Sequence, residues 1–209
     1  KKLDEIMMEV AEAIQDYFLF YWVDGIYFKK DDNILKIINI GRLVNQKNHI
    51  LLLQALVYLN EKINFKVLII GNGILKNTLV RFIKKNNLEK KVKILNFQKN
   101  PYKFLNKSNL LIHTAKFEGL PNVLIEAQLL KKFIISSDCP TGPKEILCNG
   151  KAGFLFKNDD YKQLSKKIIL FTEAKKIIQR KINYGYKKID RFNYDYCLNK
   201  YYSEIKRII

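Results

Sequence analysis

Short apolar runs alternate with longer amphipathic segments along most of this 209-residue chain. Apolar runs bounded by Gly, Asn or Ser are typical of buried strands, and an apolar repeat of about 3.6 residues is typical of helices. The strand-like runs are 34–41, 66–73, 91–95, 110–115, 133–137 and 153–156. Helical segments are predicted at 48–60, 79–88 and 100–108, from Pro121, at 142–150 and 160–182, and from about Tyr194.

Strands that alternate with helices at this spacing predict β-α-β units. The expected fold class is therefore α/β, a Rossmann-like parallel sheet with helices on both faces. We predict that this domain covers residues 34–185 and that residues 186–209 form a helical tail. Apolar positions at 3–21 have helical spacing and a polar stretch follows at 24–33, so residues 1–33 are expected to be an N-terminal helix and a linker.

The charge balance narrows the choice of partner. Lys and Arg total 38 against 20 Asp and Glu, a formal net charge of +18. Such a surplus is usual in proteins that bind nucleic acid, an anionic membrane surface or phosphorylated ligands, although a background bias towards Lys also contributes. Three cysteines without a C-x-x-C pair indicate a reducing compartment, and no apolar run is long enough to span a bilayer, so we expect a cytoplasmic protein.

The loop after the first predicted strand, residues 41–48, combines a turn with two cations. Gly41 allows a tight turn, Arg42 and Lys47 lie at the carboxyl end of the strand, and Asn48 is expected to cap the following helix. Ligands of parallel sheets bind outside the carboxyl ends of the strands. A guanidinium and an ammonium beside a helix N-terminus suit a diphosphate, although solvated surface charges would have the same pattern.

The segment KFEGLPNVLIEA at 116–127 is the most informative part of the chain. It places Glu118 and Glu126 eight positions apart around a turn at 119–122, whose proline favours a helix start. Backbone N–H groups at such a start bind anions, and carboxylates on either side are suited to accept hydrogen bonds from hydroxyls. Phosphate and hydroxyl recognition together indicate a nucleotide-sugar; the alternative is two exposed surface glutamates.

Other candidate site residues, with weaker sequence signals, also lie at or just after the carboxyl ends of predicted strands. Gly71-Asn72-Gly73 is only part of a dinucleotide fingerprint and is interpreted as a tight turn. His113 ends a strand and is interpreted as a core or rim residue rather than a catalytic one. Segment 136–147 is either another anion- or hydroxyl-contacting loop or a simple helix start, with Thr141 as a candidate cap. The sequence has no His or Cys cluster with metal-ligand spacing and no D-x-D pair, so no metal is expected.

Four motifs occur in the order GRLVNQKN, VLIIGNG, FEGLPNVLIEA and SSDCPTGPKEILCNG. Together they resemble the donor-binding, C-terminal half of retaining GT-B glycosyltransferases of family 4, over about residues 34–182. The last motif resembles bacterial amino-sugar transferases of lipid-linked oligosaccharide, capsule or lipopolysaccharide synthesis. The resemblance implies retaining transfer from a UDP-sugar, a UDP-N-acetylhexosamine or UDP-hexose, without a metal or other cofactor.

The resemblance also implies roles for individual residues. Arg42 and Lys47 match the basic pair on the donor diphosphate, and Glu118 matches the glutamate that faces the donor sugar, so these three are the expected catalytic residues. Glu126 matches the ribose-binding glutamate, and Asn96 stands where the family often has glycine. The other expected donor-binding residues are Gly41, Gly71, Gly73, Phe97, Asn100, Pro101, Gly119, Leu120, Pro121, Asn122 and Val123.

The expected partners follow from the same resemblance. They are a nucleotide-sugar donor, a glycan or lipid-linked acceptor and an N-terminal GT-B domain, which residues 1–33 do not resemble. Because of the lysine surplus, an anionic membrane surface is a further expected partner, as for a peripheral protein at the inner face of a bacterial membrane. Two alternatives stay open: a truncated donor-binding module without activity of its own, and a basic nucleic-acid-binding protein with tyrosines among its C-terminal lysines. The motif order argues against nucleic acid.

Overall fold

The computed structural model describes residues 33–208, so the predicted helix at 3–21 and nearly all of the predicted linker lie outside the described residues. The strands are β1 (Leu35–Ile40), β2 (Phe65–Ile70), β3 (Val92–Leu95), β4 (Leu110–His113), β5 (Phe133–Ser137) and β6 (Phe154–Phe156). They form one sheet in the order β3-β2-β1-β4-β5-β6, and every pair is parallel. The predicted Rossmann-like α/β fold is therefore confirmed.

Helices connect the strands and cover the sheet. They are α1 (His49–Leu59), α2 (Lys76–Lys85), α3 (Tyr102–Lys107), α4 (Asn122–Leu129), α5 (Pro143–Ile146), α6 (Tyr161–Glu173), α7 (Lys175–Lys187) and α8 (Tyr194–Ile208). Each of the predicted helical segments within the described residues overlaps at least one of these helices; α2 begins three residues before the predicted segment 79–88. The domain boundary predicted after residue 185 falls inside α7.

The apolar core is divided into two layers by the sheet. Alternate residues of one strand enter different layers: Ile37 of β1 packs with α1, α2 and α6, whereas its neighbour Ile38 packs with α3, α4 and α5. Because both faces are covered, the strands are almost continuously apolar rather than alternating with polar residues. This burial is why the strands were recognisable as short apolar runs in the sequence.

Two local features differ in detail from the predictions. The segment predicted to be helical at 160–182 is helical, but it is divided between two helices, α6 and α7, at Ala174, whose φ of −100° and ψ of 50° interrupt the helical backbone. Asn48 does lie at the N-cap position of α1, but it has a left-handed φ of 48° and its side chain makes no capping bond. The Asn48 amide instead donates to Asp159 Oδ1 at 2.7 Å. A tertiary contact thus replaces the local capping bond.

Candidate functional site

The strand order reverses between β1 and β4, which is where doubly wound α/β sheets bind their ligands. The ladder between these strands pairs Ile37 with Leu110 and Ile38 with Leu111 and goes no further. Beyond it, the buried side chain of Asn39 donates to the Ile112 carbonyl at 2.8 Å. The two strands therefore separate at their carboxyl ends, and a crevice opens between the loops that follow them.

Direct hydrogen bonds join these two loops, the β1–α1 loop (41–48) and the β4–α4 loop (114–121). The Lys116 amide donates to the Gln46 carbonyl at 2.8 Å, and the Gln46 side-chain amide donates to the Phe117 carbonyl at 3.0 Å. The Thr114 hydroxyl donates to the Lys47 carbonyl at 2.8 Å. These bonds bring the basic motif and the two-glutamate motif to one place.

Lys47 and Glu118, predicted from separate motifs, are in direct contact. The Lys47 ammonium donates to Glu118 Oε1, and the two side chains are 20% and 8% exposed. His113 at the end of β4 approaches the same oxygen, with its Nε2 at 3.0 Å. On its other side, His113 Nδ1 lies 3.1 Å from Ser136 Oγ in β5. A buried series of hydrogen bonds thus runs from Ser136 in β5 through His113 and Glu118 to Lys47.

The protonation states of these hydrogen-bonded side chains follow from their surroundings. Burial alone would raise the pKa of Glu118, but hydrogen bonds from His113 and Lys47, together with the Lys47 charge, hold this pKa below its usual range. Burial lowers the pKa of His113, and the neighbouring Glu118 carboxylate only partly opposes this effect. At neutral pH the arrangement is therefore a carboxylate between an ammonium and a neutral imidazole.

A second histidine, His49, lies beneath the site. It is the first residue of α1, it is 1% exposed, and neither ring nitrogen has a hydrogen-bond partner among the described residues. Burial, with further contributions from Lys47 and His113, lowers its pKa from 6.5 to about 4. His49 was interpreted as a surface residue from the sequence, and that interpretation is wrong, because the first turn of α1 packs under the crevice.

The β5–α5 loop supports Glu118 from the opposite side. The Glu118 amide donates to the Pro140 carbonyl at 3.3 Å, and the Thr141 hydroxyl donates to the Glu118 carbonyl. Thr141 therefore does not cap α5, which has Gly142 at its N-cap position. An open cavity of about 680 Å³ adjoins this loop and is lined by residues 138–142 together with Lys144, Glu145 and Asn149.

The other predicted residues also lie at the edge of the sheet formed by the carboxyl ends of the strands, but they do not contact the Lys47–Glu118 pair. Arg42 is exposed, and its guanidinium lies 3.5 Å from Gln46 Oε1. Glu126, in the second turn of α4, accepts a hydrogen bond of 3.4 Å from the Tyr102 hydroxyl, and it raises the Tyr102 pKa. Phe97 is 69% exposed. Gly41, Asn100, Pro101 and residues 119–123 lie in or beside the loops that border this edge.

Gly71 and Gly73 have a packing role in the β2–α2 loop. A Cβ atom on Gly71 would lie 2.0 Å from the Gly41 carbonyl oxygen, and one on Gly73 would lie 2.4 Å from that of Leu43. Two further bonds join these loops, from the Leu43 amide to the Asn72 carbonyl at 2.8 Å and from the Leu75 amide to the Leu43 carbonyl at 3.0 Å. The two glycines thus allow close backbone contact with the β1–α1 loop.

Sequence reasoning missed His113 as a functional candidate and considered Ser136 only as the first residue of segment 136–147. The available signal for His113 was its place at the end of a strand-like run, five residues before Glu118. Ser136 had only a weak signal, because two adjacent serines at the end of an apolar strand have no periodicity of their own. Its role depends on the pairing of β4 with β5, in which His113 and Ser136 are direct register partners.

Within residues 33–208, no group of three or more His, Cys, Asp or Glu side chains is placed to hold a metal ion. The same part of the chain contains no helix that combines the length and the apolar character needed to cross a bilayer.

The chain is similar to known glycosyltransferases. It is 49% identical over 112 residues to an uncharacterized glycosyltransferase of Methanocaldococcus jannaschii, covering 53% of this chain and 28% of that protein. It is 38% identical over 124 residues to the N-acetylgalactosamine-N,N'-diacetylbacillosaminyl-diphospho-undecaprenol 4-alpha-N-acetylgalactosaminyltransferase of Campylobacter jejuni, covering 59% and 33% of the two chains. The matched segments thus span about a third of the length of these relatives.

A solved structure shares the fold. The crystal structure of Anabaena HepE in complex with UDP-glucose matches with a TM-score of 0.74 and 20% identity, covering 85% of this chain and 50% of that chain. The model of the family described as "Glycosyl transferases group 1" matches residues 27–188, which include every strand of the sheet and both loops of the crevice. This chain therefore belongs to the group 1 glycosyltransferase family, and it shares the Rossmann-like α/β fold of the matched half of HepE.

Proposed function

We propose that this chain is the donor-binding part of a glycosyltransferase and binds a UDP-sugar in the crevice between β1 and β4. The Lys47–Glu118 contact is the observation that carries the proposal, because it sets a cation beside a hydroxyl acceptor at the point where the strand order reverses. Family membership and the UDP-glucose bound to HepE support it.

The diphosphate would bind to two cations and a helix N-terminus. Arg42 and Lys47 lie on the β1–α1 loop, and α4 begins across the crevice at Asn122. Among residues 33–208 no side chain caps α4, so N–H groups of its first turn are available to phosphate oxygens. Two cations and a helix dipole supply enough positive charge that the proposal needs no metal ion.

The sugar and the nucleoside would bind on either side of the diphosphate. Glu118 would accept a hydrogen bond from a hydroxyl of the donor sugar. Glu126 would accept from the ribose, with the Tyr102 hydroxyl holding its carboxylate. The exposed ring of Phe97 and the turn at Asn100-Pro101 would border the base.

Relatives guide the choice of donor and acceptor. The Campylobacter relative is named for N-acetylgalactosaminyl transfer to a diphospho-undecaprenol-linked sugar, and HepE was solved with UDP-glucose. We propose a UDP-N-acetylhexosamine or a UDP-hexose as the donor of this chain and a glycan or lipid-linked sugar as the acceptor. The family resemblance adds retention of the anomeric configuration.

The chemistry would rest on charge stabilisation. Cleavage of the anomeric C–O bond leaves negative charge on the departing UDP, and Arg42, Lys47 and the α4 N-terminus would bind that charge most strongly in the transition state. Removal of one such preorganised donor typically costs about 3 kcal/mol of transition-state stabilisation. We assign no protein nucleophile.

The acceptor is proposed to bind mainly to a second GT-B domain, so the 209 residues by themselves should transfer sugar slowly or not at all. Placing two reactants together can lower a barrier by about 7–11 kcal/mol, and a donor site without its acceptor site forfeits most of this effect. Slow hydrolysis of the UDP-sugar is the expected residual activity. Mass spectrometry of UDP-sugars incubated with lipid-linked acceptors measures this, and rapid acceptor-dependent turnover would contradict the two-domain proposal.

Calorimetry with UDP and with a panel of UDP-sugars tests the donor site. We expect UDP to bind equally well with and without a chelator. Arg42→Ala should weaken UDP binding about tenfold or more, since a hydrogen bond to a charged group contributes about 1.5–3 kcal/mol. Glu126→Gln should weaken binding of UDP and UDP-sugar alike, whereas Glu118→Gln should weaken only the UDP-sugar.

A matched control is Glu61→Gln, which changes an exposed glutamate beyond the far end of α1. Its affinities should equal those of the unaltered chain. Absence of UDP binding, binding only with manganese, or equal effects of the Glu118 and Glu126 variants on both ligands would contradict the proposal.

We also propose that the basic chain associates with an anionic membrane surface, where lipid-linked acceptors would be found. The net charge of +18 supports this, since each basic residue near such a surface contributes about 1 kcal/mol. Sedimentation with vesicles of anionic or neutral lipid is the test. Preferential binding to the anionic vesicles, weakened by salt, is expected; equal binding to both vesicle types, or binding to neither, would contradict it.

A further inference from the structure

His113 occupies a position that simple core packing does not explain. It is 4% exposed, yet both ring nitrogens meet polar side chains, Glu118 Oε1 at 3.0 Å and Ser136 Oγ at 3.1 Å. It also lies at the carboxyl end of β4, beside the crevice. A histidine that only filled space would not need to join two polar groups from different elements of the fold.

Proton counting determines the tautomer of the ring. A neutral imidazole carries one N–H, and the Glu118 carboxylate can only accept, so the proton must be on His113 Nε2. Nδ1 is then an acceptor and needs a donor, which is the Ser136 hydroxyl. That hydroxyl has a second acceptor within reach, the Ser137 carbonyl at 3.1 Å, so Ser136 must choose between the two. Donation to Nδ1 is the choice that satisfies the whole chain.

Two donors share one oxygen of Glu118. Lys47 and His113 both contact Oε1, so the second oxygen, Oε2, is left to accept from a sugar hydroxyl. Under the proposed function, the donor diphosphate competes with Glu118 for the Lys47 ammonium. Lys47 ends the short 3-10 helix Asn45–Lys47 within the β1–α1 loop and has a long side chain with several rotatable bonds, whereas His113 lies in the buried strand β4. When Lys47 turns to the diphosphate, His113 is the contact that keeps Glu118 in place.

We propose that His113 is a positioning residue for the donor sugar: its Nε2–H anchors Glu118 Oε1, and the Ser136 hydroxyl holds the ring in the required tautomer. This inference rests on the proposed function, in which Glu118 binds the sugar. It assigns His113 no proton transfer and no direct contact with the donor. The groups facing the ring from the packed elements are Lys47, His49, Glu118 and Ser136.

Binding measurements with two variants of His113 separate positioning from packing. In His113→Gln the side-chain amide can still donate to Glu118, whereas His113→Leu fills the site with an apolar side chain and removes the donor. We expect His113→Leu to weaken UDP-sugar binding about tenfold, while UDP binding changes less than about twofold. His113→Gln should restore most of the UDP-sugar affinity. Thermal unfolding of each variant reports whether the fold is retained.

The outcomes distinguish the two proposals. If the unaltered chain binds neither UDP nor a UDP-sugar, the proposed function is wrong, and the positioning role is wrong with it. If it binds both, but His113→Leu leaves the ratio of the two affinities unchanged, then only the positioning role is wrong. Failure of His113→Gln to restore a ratio that the leucine variant has changed would also overturn the role of the Nε2–H donor.

NMR of the chain labelled with nitrogen-15 in its histidine rings tests the hydrogen bonds of His113 without any ligand. At pH 7.5 the His113 ring should be neutral and protonated on Nε2. Ser136→Ala removes the hydroxyl that donates to Nδ1, and we expect it to increase the population of the Nδ1–H tautomer. An imidazolium, or an Nδ1–H tautomer in the unaltered chain, would overturn the inference, because Glu118 would then not be held by a neutral Nε2–H donor.

Discussion

His49 makes the stability of this domain sensitive to acid. The folded chain buries a neutral ring with a pKa of about 4, whereas the unfolded chain has the ordinary value of 6.5. Because the folded pKa is the lower one, the unfolded chain binds the proton more tightly, and the free energy of unfolding falls as the pH falls from 6.5 towards 4. Above pH 6.5 the neutral ring causes no such loss.

The size of the effect follows from the two pKa values of His49. At 1.36 kcal/mol for each pH unit, the difference between 6.5 and about 4 corresponds to about 3 kcal/mol once both states are protonated. Between pH 7.5 and pH 5.0 the expected loss is about 2 kcal/mol, which is a large fraction of a typical domain stability of about 5–15 kcal/mol.

The test compares the unaltered chain with His49→Leu by urea denaturation at the two pH values. Neither ring nitrogen has a partner among the described residues, so leucine removes no hydrogen bond and should change the stability at pH 7.5 by less than about 1.5 kcal/mol. Other groups, such as Glu118, titrate in both proteins and cancel in the comparison. The variant should lose about 2 kcal/mol less than the unaltered chain on going to pH 5.0. Equal losses in both proteins would refute the reasoning.

Three further variants test how the loops are held. Gly142→Ala should lower the free energy of unfolding by about 3 kcal/mol, because φ is +69° and the new Cβ would lie 2.1 Å from the Gly119 carbonyl oxygen. In Gly119→Ala no atom of the described part of the chain lies within 4 Å of the new Cβ, so this variant should cost less than about 1 kcal/mol. Calorimetric melting of both variants checks these two values. Asp160→Ala removes the 2.8 Å bond to the Gln163 amide that caps α6 and should cost about 1 kcal/mol in the same assay; an unchanged melting temperature would contradict the capping role.

Local pattern was sufficient to predict the strands and most of the helices. A run such as Leu35–Ile40 is apolar because both faces of the sheet are covered, so its burial can be predicted from its own composition. The alternation of strands and helices then predicted the parallel sheet. The two site loops were also predictable, because turn residues and charges follow the ends of the strands.

Tertiary structure alone decided how the site residues meet. Lys47 and Glu118 are 71 positions apart in the chain, and their contact depends on β1 and β4 being neighbours in the sheet. His113 and Ser136 are joined by strand register, and no local pattern encodes a pairing between strands. The sequence by itself therefore determined the elements, the loops and the chemical groups they carry. The fold determined which groups form hydrogen bonds and ion pairs with each other, because these interactions depend on distances between segments that are remote along the chain.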